Sequence, residues 1–304
     1  MGYFIAVAEE RSFTKAADRL GITQQTLSAH IAGVERELGA RLLVRKVPLE
    51  LTYAGEVFLG YARKMQALER SMQQEFLDIA GDERGLLRVG IASTRSHFIM
   101  PRSIAAFQKK HPGIEVDLLE AENEELVESL RAGQLDLIVA TVTRDIPGLS
   151  VHGLYQEEVV LVVARELLST LYGEKADEVA SEVERTHTLA PLASCPFLLL
   201  GKRDVPGDLA RHIFREAGIT PFVRVTSSNT ETLLDLCARG AGAFFCPRRL
   251  VFSSLTEEQQ EAVRIIHLGP RARYWICAAW RASDHVWSAT EGFFETLKEE
   301  VGAS

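Results

Sequence analysis

Two glutamines, a serine and a histidine fall together in the stretch TQQTLSAH, as Gln24, Gln25, Ser28 and His30. A glutamine amide donates and accepts in one plane, which matches the edge that adenine presents in the major groove of DNA. Ser12, Thr14 and Thr23 come just before, and their hydroxyls suit phosphate oxygens. Arg45 and Lys46 follow as an adjacent pair of cations for the same backbone. Between residues 11 and 46, Arg11, Lys15, Arg19, Arg36, Arg41, Arg45 and Lys46 face only Asp18, Glu35 and Glu37, a local surplus of +4 in a chain of net charge −8. A basic head on an acidic body is the electrostatic footprint of a nucleic-acid binder.

These groups need rigid elements to present them. Ser12 is placed to cap a helix over FTKAADRL that Gly21 stops, and Thr23 to cap a second helix that Gly39 stops. Leu27, Ile31, Val34 and Leu38 repeat at helical spacing and face inward, while Ala16 and Ala17 let the first helix lie close across the second. Two helices joined by a tight turn containing Gly form a helix-turn-helix. ARLLVRKVPLELT then predicts two short strands turning near Pro48, a wing carrying Arg45 and Lys46. A plain helical corner with an ordinary hairpin would also give this pattern.

The run YFIAVAEERSFTKAADRLGITQQTLSAHIAGVERELGARLLVR, followed by LTYAGE, resembles the N-terminal winged helix-turn-helix of LysR-type transcriptional regulators. The match to the family's pattern runs from Ala6 to Ser28 and resumes at Leu51, Thr52, Ala54, Gly55 and Glu56. Three positions depart from it: the chain starts a few residues late, which would clip the first helix, Ala29 replaces a frequent Arg, and the wing turn is shorter. The resemblance implies double-stranded operator DNA as partner. It also implies a linker helix pairing chains antiparallel into dimers or tetramers, and a two-lobed, periplasmic-binding-protein-like (type 2) effector domain of α/β class.

From Ala54 to about Ala80 one long helical pattern runs without proline, and Phe58, Tyr61, Met65, Leu68 and Met72 step 3-4-3-4 before Phe76 and Ile79. That spacing is a coiled-coil seam, although an amphipathic helix packed on its own domain would share it. GDERG, residues 81 to 85, reads as a hinge.

Strands and helices alternate from Leu86 onward: LLRVGIAS, a helix from about Pro101 to Lys110, IEVDLLEA, NEELVESLRAG, LDLIVATV and EEVVLVVA. A second set runs CPFLLLG, PGDLARHIFREAG, FVRVTSS, NTETLLDLCARG and AGAFFCP, and YWICAAWR with a final helix returns to the first. This alternation predicts two open, mainly parallel α/β lobes. The expected units are residues 1–52 as the DNA-binding head, 53–82 as the dimerisation helix, 86–163 with 267–304 as lobe I, and 164–266 as lobe II. LLSTLYGEKADEVASEVERTHTLAPLASCPF carries an additional helix that could wall the cleft or meet another subunit.

In open α/β sheets ligands sit beyond the carboxyl ends of the strands. That rule selects Ser93, Thr94, Arg95 and Ser96 after the first strand, then Asn123 and Thr141. In the second lobe it selects Lys202 and Ser228 with their neighbours Arg203, Ser227 and Asn229. Hydroxyls, an amide and cations beside helix N-termini suit a small anionic metabolite, whereas each serine or threonine alone could simply cap a helix. The family resemblance assigns the same role to Ser93, Thr94 and Thr141, and more weakly to Lys202 and Ser228.

Other chemistries have less behind them. His97, His152, Cys237 and Cys246 are the candidates for an enzyme, yet no GxSxG, HExxH or Walker A motif accompanies them, and neither a metal site nor a cofactor is expected. Cys237 and Cys246 stand nine apart, as in the peroxide-sensing branch of the same family, but later in the second lobe. The four cysteines form no CxxC pair, which predicts reduced thiols and a cytoplasmic protein. No run is apolar enough for a membrane span, and MGYFIAVAEERSF turns charged too soon for a secretory signal, so a transport-type binding protein is disfavoured. Hydrophobic residues at 46% and charged ones at 25% are ordinary for a globular chain, and 304 residues allow two or three domains.

Overall fold

The computed structural model describes residues 1–44, 46, 48–81, 83–142, 145–201, 205–283 and 285–302. Three helices open the chain: α1 (Gly2–Glu10), α2 (Phe13–Leu20) and α3 (Gln24–Leu38). Their ends follow the expected chemistry. Ser12 Oγ accepts from the Lys15 N–H at 3.3 Å, and Thr23 Oγ1 from the Thr26 N–H at 3.1 Å. Gly21 and Gly39 each close a helix at φ +65°, a conformation that disfavours a side chain. Phe4, Val7, Ala16, Ala17, Leu27 and Ile31 are buried as one core.

Strands β1 (Leu43–Val44) and β2 (Glu50–Leu51) pair antiparallel as the wing. Its root is tied to α3, because Glu35 Oε1 accepts from the N–H groups of Leu42 at 2.8 Å and Leu43 at 3.3 Å. The long helix α4 (Tyr53–Ala80) leaves the wing at Thr52. The Thr52 hydroxyl accepts from the Gly55 N–H at 3.0 Å and donates to the Arg41 carbonyl at 2.7 Å. A Cβ at Gly55 would stand 2.0 Å from the Leu42 carbonyl oxygen, so only glycine lets α4 cross the wing there. LTYAGE therefore encodes a corner.

Lobe I begins with β3 (Gly85–Ala92), α5 (Ser93–Lys110), β4 (Ile114–Ala121), α6 (Asn123–Arg131) and β5 (Leu137–Ala140). Helix α5 starts at Ser93, well before the expected Pro101, which lies inside it. Burial of Ile99, Met100 and Phe107 against the sheet outweighs the backbone hydrogen bond that the proline removes. The 16-residue strand β6 (Leu149–Ala164) then crosses to the second lobe.

Lobe II holds α7 (Arg165–Tyr172), α8 (Ala176–Thr186), β7 (Pro196–Leu200), α9 (Val205–Glu216), β8 (Phe222–Ser227) and α10 (Thr230–Ala238). It continues through β9 (Ala243–Pro247), α11 (Arg248–Ser254), α12 (Glu257–Ala262) and β10 (Val263–His267). The chain returns to lobe I through β11 (Arg273–Arg281) and α13 (Ser288–Gly302).

In lobe I, β4, β3 and β5 are parallel, with β11 antiparallel to β5 and to the first part of β6. In lobe II, β8, β7 and β9 are parallel, with β6 and β10 antiparallel. Strand β6 pairs β11 up to Glu158 and β9 from Val159, so sheet membership changes there rather than at 163/164. The return crossing falls after His267, where β10 still pairs β6. Each sheet is covered on both faces, giving lobe I and lobe II two apolar layers apiece. The additional helix is α8, whose Ala180 and Val183 pack into lobe II rather than against the cleft.

The last turns of α4, just before the expected hinge, are tied to lobe I. The Asp78 carboxylate accepts from the Ser288 N–H at 3.0 Å and its hydroxyl at 2.6 Å, and meets His285 Nε2 at 2.8 Å. Further along α4, Gln74 Nε2 donates to Asp136 at 3.1 Å and Arg70 to the Gly133 carbonyl at 2.7 Å. A Cβ at Gly133 would collide with Ala67 at 2.0 Å. The linker helix is thus docked along lobe I.

Candidate nucleic-acid interface and effector cleft

On α3 the inward stripe is Leu27 and Ile31, which turns Gln25, Thr26 and Ala29 outward as exposed residues. Gln24 and Ser28 lie on the flank toward α2, where the Thr14 hydroxyl donates to Gln24 Oε1 at 3.4 Å. His30 lies on the opposite flank, its ring 4.8 Å from that of Tyr3 on α1. The expectation of a single polar face including His30 is therefore corrected. At about 100° per residue, positions 24 and 30 fall on either side of the buried stripe. Ser12 and Thr23 use their hydroxyls as caps.

The positive surplus is smaller than composition implies. Arg19 is bound by Glu9 at 2.9 Å and Glu10 at 3.2 Å, which also raises its pKa through those hydrogen bonds. Lys46 Nζ meets Glu50 across the wing at 2.6 Å. Arg45 and Lys202 lie outside the described residues. Lys15, Arg36 and Arg41 are exposed on the head, and Thr26 joins them as an outward group that periodicity alone did not single out.

One face of α4 is apolar and unburied: Tyr61, Met65, Leu68, Met72, Phe76 and Ile79 are each more than half exposed, between 51% and 73%. Phe58 does not belong to this row. It packs edge-on against Phe4 at 4.9 Å, as part of the head's core.

Between the lobes lies a cleft of about 260 Å³ at the carboxyl ends of the strands. Lobe I contributes Ser93, Thr94 and Arg95 from the start of α5, with Glu120, Glu122 and Asn123 after β4. Lobe II contributes Ser228, Asn229, Thr230 and Glu231 after β8, with Leu200, Val205, Pro206 and Leu250 as apolar wall. Tyr274 of β11 also lines it. Of the expected residues, Ser93, Thr94, Asn123 and Ser228 come together here. Ser96 is buried within α5 and does not line the cleft. Thr141 stands behind it, accepting from Arg95 Nη2 at 3.2 Å, while its N–H donates to Asn123 Oδ1 at 2.9 Å. Helix α5 starts eight residues earlier than expected and winds Ser96 onto the sheet side, away from the cleft.

Arg95 is the group that residue type alone undervalued. It is 4% exposed, and its Nη1 is buried without a hydrogen-bond partner. Nearby, at the sheet crossing, Glu157 is 2% exposed, and burial raises its carboxyl above the ordinary range against the pull of the Glu158 N–H, Arg249 and Arg95. The Arg249 guanidinium lies 4.4 Å over the ring of Tyr155. His97 of α5 meets Glu231 of α10 at 3.3 Å across the lobes. His152 stacks on Trp280 at 4.4 Å inside lobe I, so the histidines and cysteines considered for catalysis do not converge.

All four cysteines are buried and none is in a disulfide. Burial pushes the Cys195 thiol up to about 11 and those of Cys237 and Cys246 higher still. Among the described residues no group of histidine, cysteine and acidic side chains is arranged to hold a metal, and no helix is long and apolar enough to cross a membrane.

Residues 1–56 match the bacterial regulatory helix-turn-helix protein, lysR family, and residues 80–302 match the LysR substrate binding domain. The chain is 30% identical over 248 residues to the HTH-type transcriptional regulator TfdS of Cupriavidus pinatubonensis, covering 81% of this chain and 80% of that one. It is 27% identical to IlvR of Caulobacter vibrioides over 99% of this chain and 97% of the relative. The crystal structure of full-length CbnR complexed with its target DNA superposes with a TM-score of 0.64 at 27% identity, over 98% of each chain. A probable hydrogen peroxide-inducible genes activator of Streptomyces viridosporus is 28% identical over 82% of this chain and 76% of its own length. These relatives are regulators of transcription rather than enzymes. With a winged helix-turn-helix at one end and a two-lobed α/β body at the other, matched along nearly its whole length, the chain belongs to the LysR family of DNA-binding transcriptional regulators.

Proposed function

We propose that this regulator reads operator DNA with the first turn of α3 and responds to a small metabolite held between its lobes. The observation that carries the reading is the pairing of two separate polar constellations on one chain: Gln24 and Gln25 at a capped helix N-terminus, and Arg95 with Ser93, Thr94, Asn123 and Ser228 in the cleft. Gln25, outward-facing, is the base reader, with Gln24 and Ser28 at its side. Thr14, Lys15, Arg41, Lys46 and Arg45 serve the phosphates. In the cleft the metabolite's anionic end meets Arg95 and the N-terminus of α5.

The apolar row on α4 is proposed to pair with the same row of a second chain, giving a dimer or tetramer whose two heads occupy two half-sites. Residues 1–52 then read DNA, residues 53–82 join chains, and the two lobes sense. Effector binding changes lobe closure or the angle between subunits, and so the spacing of the heads. The intracellular side of the membrane, where DNA and reduced thiols both occur, is the proposed location.

The test is binding of the full-length protein to the region upstream of its own gene, over a salt series. Specific binding that Gln25→Ala weakens about tenfold or more supports the reading. Sequence-blind binding that Gln25→Ala leaves unchanged would overturn it. Redox sensing is the second reading, prompted by the peroxide-inducible relatives. The burial and raised pKa of Cys237 and Cys246 make both poor nucleophiles and weigh against it.

A further inference from the structure

We propose that the effector is anchored by a carboxylate that reaches Arg95 at the floor of the cleft and Tyr155 behind it, and that Glu157 takes up a proton when the carboxylate arrives. Tyr155 and Glu157 thereby join the effector site, and binding is coupled to pH. The proposal rests on the reading of the cleft as the effector site.

Three buried polar atoms at this level of the molecule have no hydrogen-bond partner: Arg95 Nη1, Tyr155 Oη and Glu157 Oε2. Their residues are 4%, 8% and 2% exposed. A polar atom left unpaired at such depth is costly, and three together mark a place suited to another group. Strand register brings them to one layer. Tyr155 and Glu157 are two apart on β6 and share a face. Glu157 stands opposite Tyr274 of β11, which lines the cleft together with Arg95. Of the charges that act on the Tyr155 hydroxyl, that of Arg95 is the foremost. The two donors are thus neighbours that do not satisfy each other. A carboxylate satisfies both, one oxygen accepting from Arg95 Nη1 and the other from the Tyr155 hydroxyl.

Glu157 supplies the proton site. Its Oε1 accepts from the Glu158 N–H at 3.1 Å, which leaves Oε2 over. The groups that face it are Arg95 from α5, Arg249 from α11, Cys246 from β9, Tyr274 from β11, and Tyr155 beside it on β6. Glu158 turns its own carboxylate to His267 at 3.0 Å. Phenols, buried thiols and guanidiniums keep their protons through the neutral range, so Glu157 is the group of this set that titrates there. A second carboxylate brought beside it favours protonation, because two neighbouring anions resist being ionised together. The proton comes from solvent and forms an O–H at Oε2, which then donates to the ligand, and no bond of the ligand breaks. Affinity therefore rises as pH falls from the value at which Glu157 titrates in the complex to the lower value in the free protein, and is level on either side.

The experiment uses the full-length protein and three carboxylates with their neutral amides as controls: propanoate and propanamide, succinate and succinamide, 3-phenylpropanoate and 3-phenylpropanamide. Titration calorimetry from about pH 5 to about pH 8, in pairs of buffers that differ in ionisation enthalpy, gives the affinity and the protons taken up per ligand bound. The expected result is that at least one carboxylate binds, its amide does not, and proton uptake accompanies binding. Affinity rises as pH falls, by at most about tenfold per pH unit, the limit for one proton. Glu157→Gln, with Glu157→Ala as a second variant, removes the uptake, flattens the profile and binds the carboxylate more tightly than the parent above neutrality. Tyr155→Phe weakens binding about tenfold and keeps the uptake. Arg95→Gln abolishes binding, and melting curves check that each variant is folded. A carboxylate that depends on Arg95 but binds without uptake, or with the same uptake in Glu157→Gln, would overturn the proton coupling and leave the cleft as effector site. Unchanged affinity in Tyr155→Phe would overturn the seat behind Arg95. If no carboxylate binds at any pH, this proposal and the reading of the cleft fall together.

Discussion

Glu157 sits where β6 leaves one sheet for the other, and its burial holds the carboxyl in a state that resists ionisation. A carboxyl whose pKa is raised in the folded chain lends stability below its unfolded pKa and loses it as pH rises through the folded value. Glu157→Gln keeps the shape and removes the titration. At neutral pH the variant is expected to melt a few degrees above the parent, and the gap should close as pH falls toward the ordinary carboxylate range. Melting curves at several pH values check this, and a constant gap would sink it. The thiols make a second case at the same scale. With Cys195, Cys237, Cys246 and Cys277 all buried, the native protein should react with a thiol reagent or peroxide orders of magnitude more slowly than the unfolded chain. Rapid native oxidation of Cys237 or Cys246 would return weight to redox sensing.

Elements impose their own tests. The corner between wing and linker depends on the approach of Gly55 to the Leu42 carbonyl, so Gly55→Ala must push α4 off the wing. A loss of about 1–3 kcal/mol is expected from overpacking, read as weaker DNA binding and faster amide exchange in the head with the lobes unchanged. On α4, Leu68→Glu or Phe76→Glu places a charge in the exposed apolar row, and light scattering should show a shift toward smaller species. An unchanged mass would mean that the row is not the contact. Much of this was legible beforehand, because caps, glycine stops and the linker period are local signals. Ser12, Thr23, Gly21 and Gly39 announce their helices without any tertiary partner. The helix across Pro101 was not, since its stability comes from burial of Phe107 and Met100 against distant strands and α13. Phe58 fits the linker period as well as its neighbours, and only the position of Phe4 assigns it to the head. Within the cleft, the strand-end rule found the polar wall but not the importance of Arg95, which follows from how deeply α5 buries it.

For the whole molecule the charge distribution makes a quantitative claim. A net charge of −8 should repel DNA, so binding has to run through the head, with a slope of log affinity against log salt set by the few phosphates it covers. Lys15→Ala or Arg41→Ala should reduce that slope by about one per head without changing which sequence is preferred. A shift in sequence preference instead would make them base readers.

The bonds from Asp78, Gln74 and Arg70 to lobe I have a mechanical outcome. They fix the linker to one lobe, so any rotation of that lobe against the other would carry the linker with it. From Asp78 back to Tyr53 the helix reaches about 40 Å at 1.5 Å per residue. Tilting such an arm by only about 5° carries its tip about 3.5 Å, one base-pair step along the duplex. A lobe rotation too small to disturb the packing of either core is therefore geared up, at the far end, to the distance that separates a head in register with its half-site from one that is out of register.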